Sequence, residues 1–471
     1  MTNILLPKLT YIVFLIFLSY FLILTVFYLF LAVVGFLEGK KRRQESEEEN
    51  YPLAYLSTMA IPVSIIVPAH NEEEWIRDSL LSILNQNYPK FEVIVVDDDS
   101  TDGTFDILNG MLGLRPVYIP YIKHYKDGKV REIFKGEIYP NVTVIRKVTG
   151  TKKAGAVNAG LNLAKNDYVC VIDADTVLEP DSLLKVMAQV ERYPENIIGI
   201  GSYFGLANGL KVKDGRIIER SFSYNPLVAY QNLEYIRSFI GNRIAWSKYN
   251  ATPNVAGGFG IWRRDVLYET GGYSIDFTCE DVELTFRSHD YVVQNKEKNY
   301  RIVMLPYYVG WTEGPSTVPA LISQRNRWQR VINETIWKYK YMLFNPRYGA
   351  FAFLTIPYFL FYEVLGVFFE VLSIAFVVAG RLAGLLDIKT FIAFLALMLL
   401  SQALISLLAL FSFIRNQRIF RLSYICYLIM LTFLEFFCYR WIISIAKLLG
   451  TFDYFRGVKA YDQYKRQKRA A

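Results

Sequence analysis

Between Tyr11 and Leu37 the chain runs for 27 residues without a charged side chain. As a helix this stretch is about 40 Å long, more than the ~30 Å hydrocarbon core of a bilayer requires. It is too long for the core of a signal peptide and no small-residue cleavage pattern follows it, so it reads as an uncleaved anchor. Lys40, Lys41, Arg42 and Arg43 come next, which places that end in the cytoplasm by the positive-inside rule.

Long apolar stretches return only towards the other end. Tyr348 to Gly380 is apolar except for Glu363 and Glu370, Thr390 to Ile414 is uncharged, and Leu422 to Tyr439 carries only Glu435. They predict three C-terminal spans within 346–447. One span before the middle and three after it put the C-terminus on the face opposite the middle, whereas Lys465 to Arg469 favours the cytoplasm. Three resolutions stay open: 348–380 bends back, one segment is re-entrant, or the tail departs from the rule. Ionisable groups inside a membrane are costly and face a partner or a polar path. Glu363, Glu370 and Glu435 therefore either line a route for a glycan or lipid headgroup or pair with Arg381 or Arg440, pairing being the better reading for Glu435.

The 53% of hydrophobic residues is concentrated in these flanks, so the middle reads as a soluble domain. The net charge of +8 comes with no basic block in that domain, which argues against nucleic acid as a partner. Basic clusters at Lys40–Arg43, Arg415–Arg421 and Lys465–Arg469 instead border the apolar segments, as contacts with anionic membrane lipids require. Cys170, Cys279, Cys426 and Cys438 form no C-x-x-C pair, so neither a zinc site nor a disulfide framework is expected. The N-x-[ST] sequons at Asn141, Asn250 and Asn333 are chance matches if the middle is cytoplasmic.

The resulting division is an anchor at 1–43, a linker at 44–61, a soluble domain at 62–322, an interfacial amphipathic helix at 323–345, the membrane region at 346–447 and a basic tail at 448–471. The domain opens with Ser64-Ile-Ile-Val-Pro, helical spacing from Glu73 to Asn85, and Phe91-Glu-Val-Ile-Val-Val. These are two buried parallel strands joined by a helix. A third strand, Tyr168 to Ile172, runs into Asp173. The fold class is α/β.

Candidate chemistry sits where strands end, the edge at which α/β sheets bind ligands. Asp173-Ala-Asp175 offers two carboxylates on alternate residues, suited to a hard cation that also holds phosphate oxygens. Asp97-Asp98-Asp99-Ser100-Thr101-Asp102 follows the second strand; one of Asp97 and Asp98 is suited to a base or ribose, and Asp102 to a turn. Pro68-Ala69-His70-Asn71-Glu72 closes the first strand and starts a helix, where backbone N–H groups can face a ligand.

With Lys153-Ala-Gly-Ala-Val-Asn158, these motifs resemble, in their order, the inverting family 2 glycosyltransferases of the GT-A fold. Asn254-Val-Ala-Gly257-Gly258-Phe resembles the acceptor-side segment of that family. Cys279-Glu280-Asp281 stands at its T-E-D motif, with Cys in place of Thr. Gln324-Arg-Asn-Arg327-Trp328 resembles the Q-x-x-R-W of cellulose, hyaluronan and poly-N-acetylglucosamine synthases. The resemblance covers 62–345 and implies a GT-A domain set between transmembrane helices. It implies that Pro68, Ala69, Glu72, Asp97 or Asp98, Lys153 and Asp173 bind the nucleotide-sugar, a UDP-sugar, and that Asp175 binds Mg2+ or Mn2+. Asp281, with Glu280, would serve as the catalytic base, and Gln324, Arg327, Trp328, Gly257 and Gly258 would hold diphosphate and acceptor. The spacing of Gln324, Arg327 and Trp328 puts all three on one helical face.

The function expected is inverting, metal-dependent sugar transfer to a growing polysaccharide with export, by a multi-pass plasma-membrane protein with a cytoplasmic catalytic domain. Two alternatives stand: transfer of one sugar to a lipid-linked or short oligosaccharide acceptor, and an inactive carbohydrate sensor. The stretch Val117 to Glu137 departs from the family pattern and is expected to be an added loop or hairpin.

Overall fold

The computed structural model describes residues 2–49, 51, 59–148, 152–416 and 419–458. Its centre is a ten-stranded sheet. The strands are β1 (Val63–Ala69), β2 (Phe91–Asp97), β3 (Leu114–Pro116), β4 (Lys129–Gly136), β5 (Val142–Val148), β6 (Tyr168–Ile172), β7 (Val177–Leu178) and β8 (Ile197–Leu206), with β11 (Phe259–Arg263) and β12 (Arg301–Thr312) later in the chain. A separate hairpin pairs β9 (Leu210–Lys213) with β10 (Arg216–Arg220). The sheet order is β3-β4-β5-β2-β1-β6-β11-β8-β12-β7. β5, β2, β1 and β6 are parallel, as their unbroken Val/Ile runs predict. β11 enters antiparallel between β6 and β8.

The helices that position the site are α1 (Thr2–Glu47), α2 (Ile76–Leu84), α3 (Lys152–Leu163), α4 (Pro226–Ile236), α5 (Glu280–Gln294) and α6 (Val318–Lys338). They are followed by α7 (Gly366–Leu382), α8 (Ile388–Asn416), α9 (Leu422–Leu434) and α10 (Tyr439–Phe455). α3 packs so closely on β1 that a Cβ built on Gly160 would lie 2.5 Å from Ile66 Cγ2. Gly160→Ala therefore overpacks that contact. We expect it to cost about 1–3 kcal/mol, read as a lower melting temperature of the purified protein, and an unchanged melting temperature would refute the contact.

Among the described residues two helices, α1 and α8, are long and apolar enough to cross a membrane, with up to four spans if each of two bent pairs counts as one. The bent pairs are 351–364 with α7, at 45°, and 422–437 with α10, at 52°. The first bend lies between a π turn at Phe359–Val364 and Gly366, a recognised cause of kinks, and the second at the short 3-10 turn Glu435–Phe437. The last apolar segment thus continues to Phe455 rather than ending near Tyr439. The Lys465–Arg469 cluster lies outside the described residues.

The three glutamates of the apolar segments are paired with cations. Glu363 meets Lys447 at 2.7 Å, Glu370 meets Arg440, and Glu435 accepts two 2.6 Å bonds from Arg237. The expected pairing of Glu435 with Arg381 or Arg440 is corrected. Arg440 takes Glu370, and the partner of Glu435 comes from a π turn, Arg237–Arg243, that continues α4. Gln402 joins the two pairs, donating to Glu435 at 3.1 Å and accepting from Arg440 at 2.5 Å.

Three further differences matter. The Q-x-x-R-W helix starts at Val318, with Pro319 in its first turn. Its inward face is polar rather than apolar: Asn326 donates to Asp453 at 2.7 Å, Arg330 to the Val458 carbonyl at 2.8 Å, and Gln329 to the Glu363 carbonyl at 3.0 Å. Finally, the first helix after β1 begins at Ile76, not Glu73. The 117–137 stretch folds back as β4 on β3, and its loop is built around buried Asp127, which accepts from Tyr121 and from Asn162 at 3.1 Å.

Candidate active site

Sheet register builds the site. β6 ends at Ile172, so Asp173 emerges at the edge, and the antiparallel pairing Phe259↔Ile172 sets Gly257 and Gly258 beside it. The pairing Trp311↔Val177 brings Thr312 to Asp175, where its hydroxyl donates to Asp175 Oδ1 at 3.3 Å. α3 delivers Lys153 from its first turn. Asn158, on the same helix, locks α3 in place by donating to the Tyr273 and Lys126 carbonyls at 2.8 Å each and accepting from Tyr273 N at 2.9 Å. The N-terminus of α5 supplies Glu280 and Asp281, where acidic side chains are favoured by the helix dipole.

These groups converge. Lys153 Nζ contacts Asp173, lies 3.2 Å from Glu280 Oε1 and donates to the Gly257 carbonyl at 3.5 Å. Asp281 Oδ2 accepts from Gly257 N at 2.9 Å and Oδ1 from Val282 N at 2.8 Å. The cradle exists because residue 257 has no side chain: a Cβ there would lie 3.0 Å from Lys153 Nζ and 3.5 Å from Asp281 Oδ2. Burial in the cleft pushes Asp173 up to about 6, opposed by Lys153 and reinforced by Asp175. Burial raises Asp281 as well, and the neighbouring Glu280 carboxylate raises it further. Burial also lifts the Cys279 thiol to about 12 against the pull of nearby Arg327; its proximity to Arg327 ties the Q-x-x-R-W helix to this cluster.

Among the described residues no group of three or more His, Cys, Asp or Glu side chains is preformed to hold a metal ion. The donor set still fits a hard divalent cation. Asp173 and Asp175 are close enough to interact electrostatically, and Mg2+-type sites use one or two carboxylates and complete the shell with phosphate oxygens and water.

The nucleoside-side motifs are arranged differently from expectation. The amides of residues 71–73 are bonded by the second loop. Asn71 N donates to Ser100 Oγ at 3.0 Å, Glu72 N to Thr104 Oγ1 at 2.8 Å and Glu73 N to Asp102 at 3.1 Å. Asp98 is bound to buried Lys147 at 2.7 Å, and Asp97 is fully buried beside Arg146 at 3.5 Å. The two cations at the end of β5 hold both carboxylates. Pro68 and Ala69 complete β1, and Asp102 caps Thr104, the turn role its position predicts.

On α6, Gln324 is buried with Oε1 lacking a hydrogen-bond partner. Arg327 lines a cavity of about 410 Å³ with Ile322, Asn326, Arg330, Asp453 and Val458. Trp328 has one ring face covered by the Arg325 guanidinium, 4.0 Å above it. Arg325 in turn donates to Glu234, which also accepts from Tyr439 at 2.7 Å. Sequence reasoning missed Thr312, Glu234 and Arg325. The first two lie far from their partners in the chain, and Arg325 occupies a variable position of the motif.

Comparison with known proteins gives the family. Residues 64–271 match the model of Glycosyl transferase family 2, and residues 168–439 match that of Glycosyl transferase family group 2. A probable glycosyltransferase of Bacillus subtilis, YdaM, is 28% identical over 375 residues, covering 77% of this chain and 76% of that one. The poly-beta-1,6-N-acetyl-D-glucosamine synthase of Staphylococcus epidermidis is 26% identical over 275 residues, which span 58% of this chain but only 55% of the synthase. The mannosyltransferase PcManGT of Pyrobaculum calidifontis, solved with GDP-Man and Mn2+, superposes with a TM-score of 0.53 at 18% identity, over 92% of this chain and 99% of that one; this likeness shows the fold. The chain belongs to Glycosyl transferase family group 2 and is a glycosyltransferase of the GT-A fold carried between apolar helices.

Proposed function

We propose that the protein transfers a sugar, with inversion, from a UDP-sugar to a growing polysaccharide, from a cytoplasmic catalytic domain held at the plasma membrane. The observation that carries this reading is the convergence of Lys153, Asp173, Glu280 and Asp281 on the Gly257 cradle. Asp281 removes the proton of the acceptor hydroxyl as that oxygen attacks the anomeric carbon. Lys153 leaves Asp173 and Glu280 to meet the incoming diphosphate, and Arg327 stabilises the charge that builds up as it departs. Asp175, with Asp173 beside it, would hold Mg2+ or Mn2+, which would supply charge neutralisation for the diphosphate. The ledge formed by residues 68–72 and 98–102 seats the nucleoside.

A second reading, transfer of one sugar to a lipid-linked acceptor, is favoured by one feature. The cavity beside Arg327 has an apolar side, Ile322 and Val458, and a basic side, Arg327 and Arg330.

The experiment is nucleotide release by the purified full-length protein from a panel of UDP- and GDP-sugars with Mg2+ or Mn2+, with product sizing by mass spectrometry. A ladder of long products supports the first reading and a single-sugar lipid adduct the second. No release from any donor would overturn both.

The pH profile gives a sharper check. Asp281 must be ionised to act, and the Glu280 charge raises its pKa. Glu280→Gln is expected to move the acid limb of kcat/KM to lower pH. A limb that stays in place or moves upward refutes Asp281 as the titrating base.

A further inference from the structure

The π turn Arg237–Arg243 is wedged against the membrane anchor. A Cβ on Gly35 of α1 would lie 2.5 Å from the Gly241 carbonyl oxygen, so the two backbones touch. Such π turns gather at functional sites. This one carries two arginines with opposite fates. Arg237 is neutralised by Glu435. Arg243 lies with its guanidinium 4.1 Å over the Phe239 ring, and its Nη1 is buried without a hydrogen-bond partner.

Two aromatic rings, Phe239 and Phe204, connect Arg243 to the reacting groups. Phe239 packs edge-on to Phe204 at 5.0 Å, and a Cβ on Gly258 would lie 3.4 Å from Phe204 and 3.7 Å from Asp173. Burial lowers the Arg243 pKa to about 10, and the Asp281 carboxylate partly offsets that effect. An arginine held flat on a ring and left with a buried, unused N–H is costly unless something supplies the missing acceptor. Planar guanidinium is suited to carboxylate and phosphate.

We propose that Arg243 positions the acceptor by binding an oxyanion on it, a phosphate ester or a carboxylate, beside Asp281. The inference rests on the glycosyl-transfer reading above and names the chemistry of its acceptor. Gly35 and Gly241 fix the π turn against the anchor, so the acceptor meets the base at a height set by the membrane surface.

The test is binding without turnover, on the purified full-length protein in detergent. Two probes are titrated separately: a polyisoprenyl monophosphate and a glucuronate-containing oligosaccharide, with a neutral oligosaccharide as control. We expect one charged probe to bind, Arg243→Gln to weaken it at least about tenfold, and Arg243→Lys to recover part of the loss. UDP-sugar binding should stay within about twofold in both variants. The Lys variant also serves if the Gln variant folds poorly. Binding of the phosphate names a lipid-linked acceptor, and binding of the uronate names an acidic glycan. The proposal is overturned if the wild type binds neither charged probe, or if Arg243→Gln binds the preferred probe as well as the wild type does. Nucleotide release by the wild type is scored independently, so loss of the acceptor reading and loss of the transferase reading give different results.

Discussion

Asp281→Asn is expected to lower sugar transfer by about 10²–10⁴-fold, the usual contribution of a positioned general base, while UDP-sugar affinity changes little. The substitution is nearly isosteric. Asn can keep its carbonyl on either Val282 N or Gly257 N, both of which Asp281 holds at 2.8–2.9 Å. One of those bonds is lost, at a cost of about 1 kcal/mol, too little to unfold the domain. What disappears is the capacity to accept a proton from the attacking hydroxyl. Lys153, Asp173 and Glu280 remain in place, so the donor still has its cation and its cradle. The measurement pairs calorimetric donor binding with product formation under single-turnover conditions. A rate within tenfold of wild type would remove Asp281 from the base role. A parallel collapse of donor affinity would show that it serves binding rather than proton transfer.

The constellation behind that prediction was legible in the sequence because each member sits at a local boundary. Asp173 follows a strand of five buried residues, and Asp281 opens a helix. Such ends are marked by short-range patterns. The convergence of Lys153, Asp173 and Gly257 follows from sheet register, which neighbouring residues do not encode; the resemblance to a known family supplied it. Where a residue's partner lies far along the chain, short-range patterns do not point to it. Asp98 sits in the acidic run expected to face a nucleoside, yet Lys147, 49 residues later, takes it. The amides of residues 71–73 were available for a ligand until the 98–104 loop folded over them. Likewise, the segment 324–342 reads as amphipathic by its Trp, Tyr and Arg residues, but the buried face of α6 is decided by α10, whose Gly450 lets the helices touch.

The membrane-side carboxylates show the same limit and lead to the largest stability effect. A glutamate in an apolar run can serve a polar path or a partner, and spacing alone does not choose. In the structure Arg237 grips Glu435 with both terminal nitrogens, and Ser406 accepts a further 2.6 Å bond from Arg237. Glu435 keeps only 3% of its surface exposed, so the pair is sealed. Removing one partner of such a pair strands the other, typically at about 3–5 kcal/mol, whereas replacing both by apolar groups is often neutral. Glu435→Ala is therefore expected to lower the melting temperature of the detergent-purified protein sharply, and Arg237→Met with Glu435→Leu to restore most of it. The comparison separates fastening from transport. If the pair is a fastener between the π turn and α9, the double variant regains both stability and product formation. If Glu435 served a moving glycan, the double variant would be stable yet still fail to release product, and the ion pair would have to be read as part of the path. Arg243 follows Arg237 on the same turn, so a loosened pair should also weaken oxyanion binding at Arg243, and the double variant should recover it.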